Sequence, residues 1–151
     1  MIYPSAKVIV RSHEKKDMLL LVKRTIYGKT YYEPAGGKVE VDFANKKAES
    51  LEECADREIK EELGVSINIK GYIGSYYFFW HIDLKKLSVC ALFDGFIKEQ
   101  DLLFDVNKDS CELSIEPAWV SIDDILSGVI DIDPSYVGLE VLLKNYCRQM
   151  L

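Results

Sequence analysis

The sequence lacks the residue arrangements that build disulfide frameworks and zinc sites. It has only four cysteines, at positions 54, 90, 111 and 147. No two of them form a Cys-x-x-Cys pair, so their spacing predicts neither a zinc ligand set nor a fold held by disulfides. Free thiols are typical of proteins in a reducing compartment, and we therefore expect a cytoplasmic protein.

Long apolar runs and an excess of basic residues are also missing. No segment approaches the ~20 apolar residues of a membrane helix, and the start, Met1 to Pro4, lacks the charged region of a signal peptide. With 19 Lys and Arg against 25 Asp and Glu, the formal net charge is −6. A general binder of polymeric nucleic acid needs a basic face. We therefore expect neither a membrane nor a polymeric nucleic acid as partner, whereas a small anionic ligand stays open.

The composition is that of an ordinary globular domain. Of the 151 residues, 48% are hydrophobic and 29% are charged. This length predicts one domain over residues 1–151. Apolar and β-branched patterns predict strands, and a mixed amphipathic pattern predicts a last helix from Tyr136 to about Met150. The predicted strands cover residues 6–11, 18–24, 66–80 (one bent strand or two short ones), 87–98 and 118–121.

One predicted helix carries acidic residues where an apolar face is expected. Ser50 suits its N-cap, with Glu53 completing a capping box, and Gly64 suits the left-handed position after its end. At 100° per residue, an apolar stripe forms at about 0°, 300°, 40° and 80° from Leu51, Cys54, Ala55 and Ile59. Three glutamates fall in line with it, at about 340°, 20° and 280°: Glu58, Glu62 and Glu61.

Carboxylates that face protein need a partner, because an unpaired buried carboxylate is costly or stays protonated. Glu58 is spaced i,i+4 from Glu62 and i,i+3 from Glu61, so the three side chains meet on one face and repel one another. A divalent cation is the simple remedy. Arg57 lies four residues after Glu53 and four before Glu61, and can pair with either.

This stretch resembles the signature of the Nudix hydrolases. In that signature a Gly and a Glu precede the run Arg-Glu-hydrophobic-x-Glu-Glu-x-Gly-hydrophobic, which here spans residues 57–65. Gly37 and Glu49 are the preceding Gly and Glu, and the spacing from Glu49 to Arg57 matches the family. Eleven residues separate Gly37 from Glu49, more than the family usually has. We interpret residues 41–48 as an insertion, either a solvated surface loop or a flap over the site.

The resemblance implies an α+β Nudix fold, a mixed β-sheet sandwiched between helices in α/β/α layers. It also implies a pyrophosphohydrolase that uses Mg²⁺ or Mn²⁺, which oxygen ligands suit. The metal ligands implied by the resemblance are Glu58, Glu61, Glu62, the carbonyl of Gly37, and Glu112. Gly36 is the alternative to Gly37 as the residue whose carbonyl binds the metal, and Glu116 is the alternative to Glu112.

Other residues receive roles around this centre. The catalytic residues would be Arg57, Glu58 and Glu61, with Glu58 or Glu61 as the general base, and Glu49 would support the site by pairing with Arg57. For the substrate, Arg24 at the end of the second strand is a candidate phosphate contact, with a solvated cation as the alternative. Tyr32 is a candidate for stacking on a base, with a core position as the alternative.

The substrate stays open among nucleoside triphosphates, nucleotide sugars and related derivatives of a nucleoside diphosphate. The rival function is a catalytically silent Nudix-fold module that binds a nucleotide or regulates a partner. Such a protein should have lost a carboxylate of the signature, and this chain keeps all of them, which favours the enzyme. A homodimer is left open.

Overall fold

The computed structural model describes residues 1–80, 85–98 and 115–151. No helix within these ranges is long and apolar enough to cross a membrane. In chain order, their strands and helices are β1 (Ile2–Arg11), β2 (Met18–Ile26), β3 (Lys29–Glu33), β4 (Ala35–Lys38), β5 (Val41–Asp42), β6 (Lys47–Ala48), α1 (Leu51–Leu63), β7 (Ile67–Phe79), β8 (Leu87–Ile97), β9 (Ile115–Ser121), α2 (Ile122–Ser127), β10 (Tyr136–Val137) and α3 (Leu139–Gln149).

Strand β1 lies at the centre of a mixed sheet. On one side it pairs in parallel with β8 along its whole length. On the other side it pairs antiparallel with β4 over residues 5–8 and with β2 at Val10. Strand β2 continues to β3 and β9, and β8 continues to β7 and β10. The short pairing with β4 sets Gly37 opposite Ala6 and Gly36 opposite Lys7.

Separate hydrophobic cores form on the two faces of the sheet. Because side chains alternate along a strand, Val8 and Val10 of β1 join one core, whereas Ile9 joins the other. Helix α1 packs on the first core through Cys54, Ala55, Ile59 and Leu63. Helices α2 and α3 pack on the second through Ile122, Ile125, Leu139, Leu143, Tyr146 and Cys147. The predicted α+β fold, a mixed sheet between helices, is confirmed.

The last helix begins later than the sequence predicts. Tyr136 and Val137 pair with Phe78 and Tyr77 as strand β10, and α3 starts only at Leu139. Gly138, with a φ of 94°, separates the strand from the helix. The left-handed region suits glycine. The sequence prediction was wrong here because the pairing with β7 is non-local.

The inserted segment has structure of its own. Strands β5 and β6 pair antiparallel, so residues 41–48 form a hairpin. Its turn is held by Asp42, whose carboxylate accepts hydrogen bonds from the N–H (3.2 Å) and the Nδ2 (2.8 Å) of Asn45. At its base, the Glu49 N–H donates to the Glu40 carbonyl at 3.1 Å. The hairpin therefore closes directly in front of α1.

Candidate active site

Helix α1 carries the acidic residues and has the predicted ends. Ser50 Oγ accepts a hydrogen bond from the Glu53 N–H at 3.0 Å, which satisfies one donor of the first turn. Gly64 ends the helix with a φ of 71°, and its N–H donates to the Lys60 carbonyl at 3.0 Å. These caps fix where the helix starts and stops, and therefore which residues face the sheet.

The helical wheel is right for two of the three glutamates. The Glu58 side chain is 15% exposed and Glu62 is half-buried, so both face protein. Glu61 is 57% exposed, because it lies about 90° from the centre of the apolar stripe. Leu51, predicted on the stripe, is exposed, and Leu63 completes the buried face instead. The site therefore has two inward carboxylates and one at the solvent edge.

The two glycines of β4 lie directly against these inward carboxylates. A Cβ on Gly37 would lie 2.5 Å from both Cδ and Oε1 of Glu58, so only glycine leaves room for that carboxylate. The Gly36 N–H donates to Glu62 Oε2 at 3.1 Å. The Gly36 carbonyl accepts from Lys7 Nζ at 3.1 Å, and the Gly37 carbonyl accepts from Cys54 Sγ at 3.4 Å. Strand β4 therefore brings two peptide groups and two carboxylates together.

Arg57 connects the glutamates of α1 to Glu49. Its Nε and Nη2 donate to the Glu49 carboxylate at 3.0 and 2.6 Å. Its Nη1 donates to Glu58 Oε1 at 3.0 Å and to Glu61 Oε2 at 3.2 Å. The bond from Arg57 is the main cause that lowers the pKa of Glu49 to about 2. The predicted pairing of Glu49 with Arg57 is thus present, and Arg57 pairs with Glu61.

Burial disfavours the ionised forms of the two inward carboxylates. Burial raises the pKa of Glu62 to about 7, although the charge of Lys7 and the hydrogen bond from Gly36 both lower it. Burial also raises the pKa of Glu58, and Arg57 opposes that rise. A bound cation would favour the ionised forms of both carboxylates.

The chemistry of the donors fits a hard divalent cation. Carboxylates of Glu58 and Glu62 lie beside the peptide groups of Gly36 and Gly37, and oxygen donors are the ligands that Mg²⁺ and Mn²⁺ prefer. In the described parts of the chain, no three His, Cys, Asp or Glu side chains are already gathered for a metal. The exposed Glu61 instead accepts from Arg57.

Comparison with known proteins identifies the family to which this site belongs. A family model of the NUDIX domain matches residues 1–137. The chain belongs to the Nudix family. No curated protein matches the sequence. The predicted Nudix hydrolase acting on a pyrophosphate bond is thereby confirmed at the level of the family.

Solved structures of Nudix proteins share the fold. A MutT protein from Methanosarcina mazei Go1 is 25% identical with a TM-score of 0.69, covering 98% of this chain and 94% of that one. A NUDIX hydrolase from Nitrosomonas europaea is 20% identical, also at 0.69, covering 99% and 91%. A NUDIX-family hydrolase from Clostridium perfringens is 15% identical at 0.65, covering 99% and 98%. The last two likenesses show the fold alone.

Several of the remaining predicted site residues have partners within the chain. Arg24 Nη2 lies 3.0 Å from Glu33 Oε1. Tyr32 packs against the second core, and its N–H donates to the Asp131 carbonyl at 2.9 Å. Glu116 is an exposed partner of Lys23 at 3.2 Å, and Glu112 lies outside the described residues. None of these positions tests the predicted roles, which stay predictions.

Two charged residues of this Nudix domain escaped the sequence analysis. Lys7 reaches the Gly36 carbonyl from β1, and Glu33, at the end of β3, is 2% exposed. Lys7 interrupts an apolar strand, and Glu33 stands immediately before the Pro34 segment that leads to the glycines. Charged residues are rarely buried unless they are paired, so a charge inside an apolar strand was the available signal.

Proposed function

We propose that the protein is a pyrophosphohydrolase that depends on Mg²⁺ or Mn²⁺ and cleaves a nucleoside diphosphate linked to another group. The observation that carries this proposal is the pair of inward carboxylates, Glu58 and Glu62, held against the Gly36–Gly37 segment in a Nudix domain. A nucleoside triphosphate and a nucleotide sugar are the substrate classes proposed. Retention of every acidic residue of the signature favours this activity over a silent binding module.

The cation would be held by Glu58, Glu61, Glu62 and the carbonyl of Gly37, with Glu112 as a further proposed ligand. A bound Mg²⁺ or Mn²⁺ neutralises phosphate charge and lowers the pKa of water. Arg57 orients Glu58 and Glu61 through its Nη1, and Glu49 holds Arg57 in place by two bonds. The carboxylates that hold the cation would thus keep fixed orientations when the pyrophosphate binds.

Glu58 or Glu61 would accept the proton of the attacking water as general base. Glu58 is the more buried and Glu61 the more exposed of the two, and both accept from Arg57. A pH–rate profile separates them, because only the variant that lacks the base loses the acidic limb of the profile.

Arg24 and Tyr32 are proposed to contact the rest of the substrate. A homodimer and a cytoplasmic location are also proposals.

The test is a panel of nucleotides and nucleotide sugars assayed with Mg²⁺ and with Mn²⁺, measuring release of phosphate or of a monophosphate. Glu61→Gln should lower metal-dependent turnover by about 10²- to 10⁴-fold while the fold is kept. Glu53→Gln is the matched control, because Glu53 is an exposed glutamate on the same helix. Full turnover by Glu61→Gln would refute the mechanism. No turnover of any substrate by the wild type would favour the silent module.

A further inference from the structure

A pyrophosphate substrate brings negative charge to an acidic site, where a cation of the chain can bind it beside the proposed metal. Arg57 already uses its guanidinium fully. It donates to Glu49, Glu58 and Glu61, and its Nη2 also donates to the Lys38 carbonyl at 3.1 Å. Binding a phosphate through Arg57 would therefore break bonds that hold the glutamates.

The other nearby cations are engaged as well. Arg24 lies 3.0 Å from the buried Glu33, and Lys23 lies 3.2 Å from Glu116. The Lys38 ammonium lies over two aromatic rings, 5.0 Å from the centroid of Tyr3 and 4.6 Å from that of Trp80. Each of these side chains already has a carboxylate or aromatic partner.

Lys7 differs from these cations. Its Nζ donates to the Gly36 carbonyl at 3.1 Å, and it has no carboxylate at ion-pair distance among the described residues. An ammonium has three donors, so two stay available. The Gly36 N–H donates to Glu62, so Lys7 and Glu62 both form hydrogen bonds with the backbone of Gly36. The Lys7 charge acts on both Glu62 and Glu58, since it lowers the pKa of each.

We propose that Lys7 binds the pyrophosphate group of the substrate through the two ammonium donors that Gly36 leaves open. Lysine acts on phosphate as a compact charge, and hydrogen bonds from a charged donor are about twice as strong as neutral ones. Lys7 is half-buried, so its side chain is held by the surrounding protein while a small anion can still reach it. This inference rests on the proposed function, because it assigns the residue that holds the same substrate.

The experiment measures binding of imidodiphosphate, a pyrophosphate analogue that is not hydrolysed, by calorimetry with Mg²⁺ at constant ionic strength. The variants are Lys7→Met, Lys7→Gln and Lys7→Arg. Lys7→Gln keeps a donor for Gly36 but removes the charge. Lys60→Met is the control, because Lys60 pairs with Asp56 on the exposed side of α1. Circular dichroism verifies that each variant folds. If Lys7→Met does not fold, the affinity of Lys7→Gln decides the result.

Lys7→Met and Lys7→Gln should bind the analogue about 10- to 100-fold more weakly, the usual loss for a charged hydrogen bond. Lys7→Arg should retain most of the affinity, and Lys60→Met should match the wild type. Wild-type affinity in Lys7→Gln would overturn the inference and leave Lys7 as a support for Gly36 alone. An equal loss in Lys60→Met would also overturn it. Absence of binding by the wild type would instead refute the proposed function itself.

Discussion

Replacing Gly37 with alanine would set a methyl group against the Glu58 carboxylate. The new Cβ would lie 2.5 Å from Glu58 Cδ and Oε1 and 2.8 Å from Oε2. Ordinary contacts between such atoms are about 3.5 Å or longer, so the carboxylate has to move by about 1 Å. It is the end of a flexible side chain, and Gly37 does not have a positive φ. We therefore expect Glu58 to move and the backbone to stay.

The effect on stability should be small and the effect on activity large. Moving Glu58 weakens its bond from Arg57 Nη1, although Arg57 keeps Glu49 and Glu61. A hydrogen bond to a charged group contributes about 1.5–3 kcal/mol, and the lower entropy of the unfolded alanine variant offsets about 0.4–1 kcal/mol. At about 2–4 °C per kcal/mol, Tm should fall by less than about 10 °C. A misplacement of about 1 Å costs about 10²-fold in rate.

Gly36→Ala is the matched contrast, because its methyl group would meet backbone. The new Cβ would overlap the Ala6 carbonyl oxygen and lie 2.8 Å from Lys7 Cα, in the central strand. Gly36 also has a φ of 147°, which side chains with L configuration rarely adopt. Overpacking and backbone strain each cost about 1–3 kcal/mol. We expect Tm to fall by about 4–24 °C for this variant.

Melting followed by circular dichroism, hydrolysis rates and Mn²⁺ affinity distinguish the two variants. We expect Gly37→Ala to keep a Tm within about 10 °C of the wild type and to lose activity and metal affinity. We expect Gly36→Ala to lose more stability than Gly37→Ala does. A Gly37→Ala protein with full activity, or a Gly36→Ala protein that melts with the wild type, would show that the contacts do not constrain these glycines.

Two further predictions concern the supports of the site. Because Arg57 lowers the pKa of Glu49 to about 2 from 4.5, the stability that Glu49 contributes is complete above pH 4.5 and is lost as the pH falls towards 2. The Tm of Glu49→Gln should therefore fall less than that of the wild type over this pH range. Parallel curves of Tm against pH for the two proteins would contradict the role assigned to Glu49. Ser50→Ala removes the N-cap bond to Glu53 and should lower stability by about 1 kcal/mol, with KM and kcat unchanged. An unchanged Tm would contradict the cap.

Local patterns account for the parts of the site that were predicted correctly. The ends of α1 depend on Ser50 and Gly64, which act within one turn of the chain. The inward direction of Glu58 and Glu62 follows from helical spacing, as does the Arg57–Glu61 pair. These interactions join residues that are close in sequence, so spacing alone specifies them.

The wrong start of the last helix comes from a pairing between distant segments. Tyr136 lies in strand β10 because it pairs with β7, and no local sequence pattern indicates that partner. The tertiary partner, and not the residue type, decided where this helix begins. Arg24 lies 3.0 Å from Glu33 across the β2–β3 pair, and its predicted contact with substrate stays a prediction.

By itself, the sequence determined the acidic helix, its caps and its family signature, because each depends on short spacings. The α+β class was implied by the resemblance that this signature carries. Only the tertiary structure decided which glycine lies against Glu58 and which cation faces Glu62. Strand β4 pairs with β1 across about thirty residues of chain, and that register alone brings Lys7 to Gly36. Register is a property of two strands at once, so neither segment could reveal it when read alone.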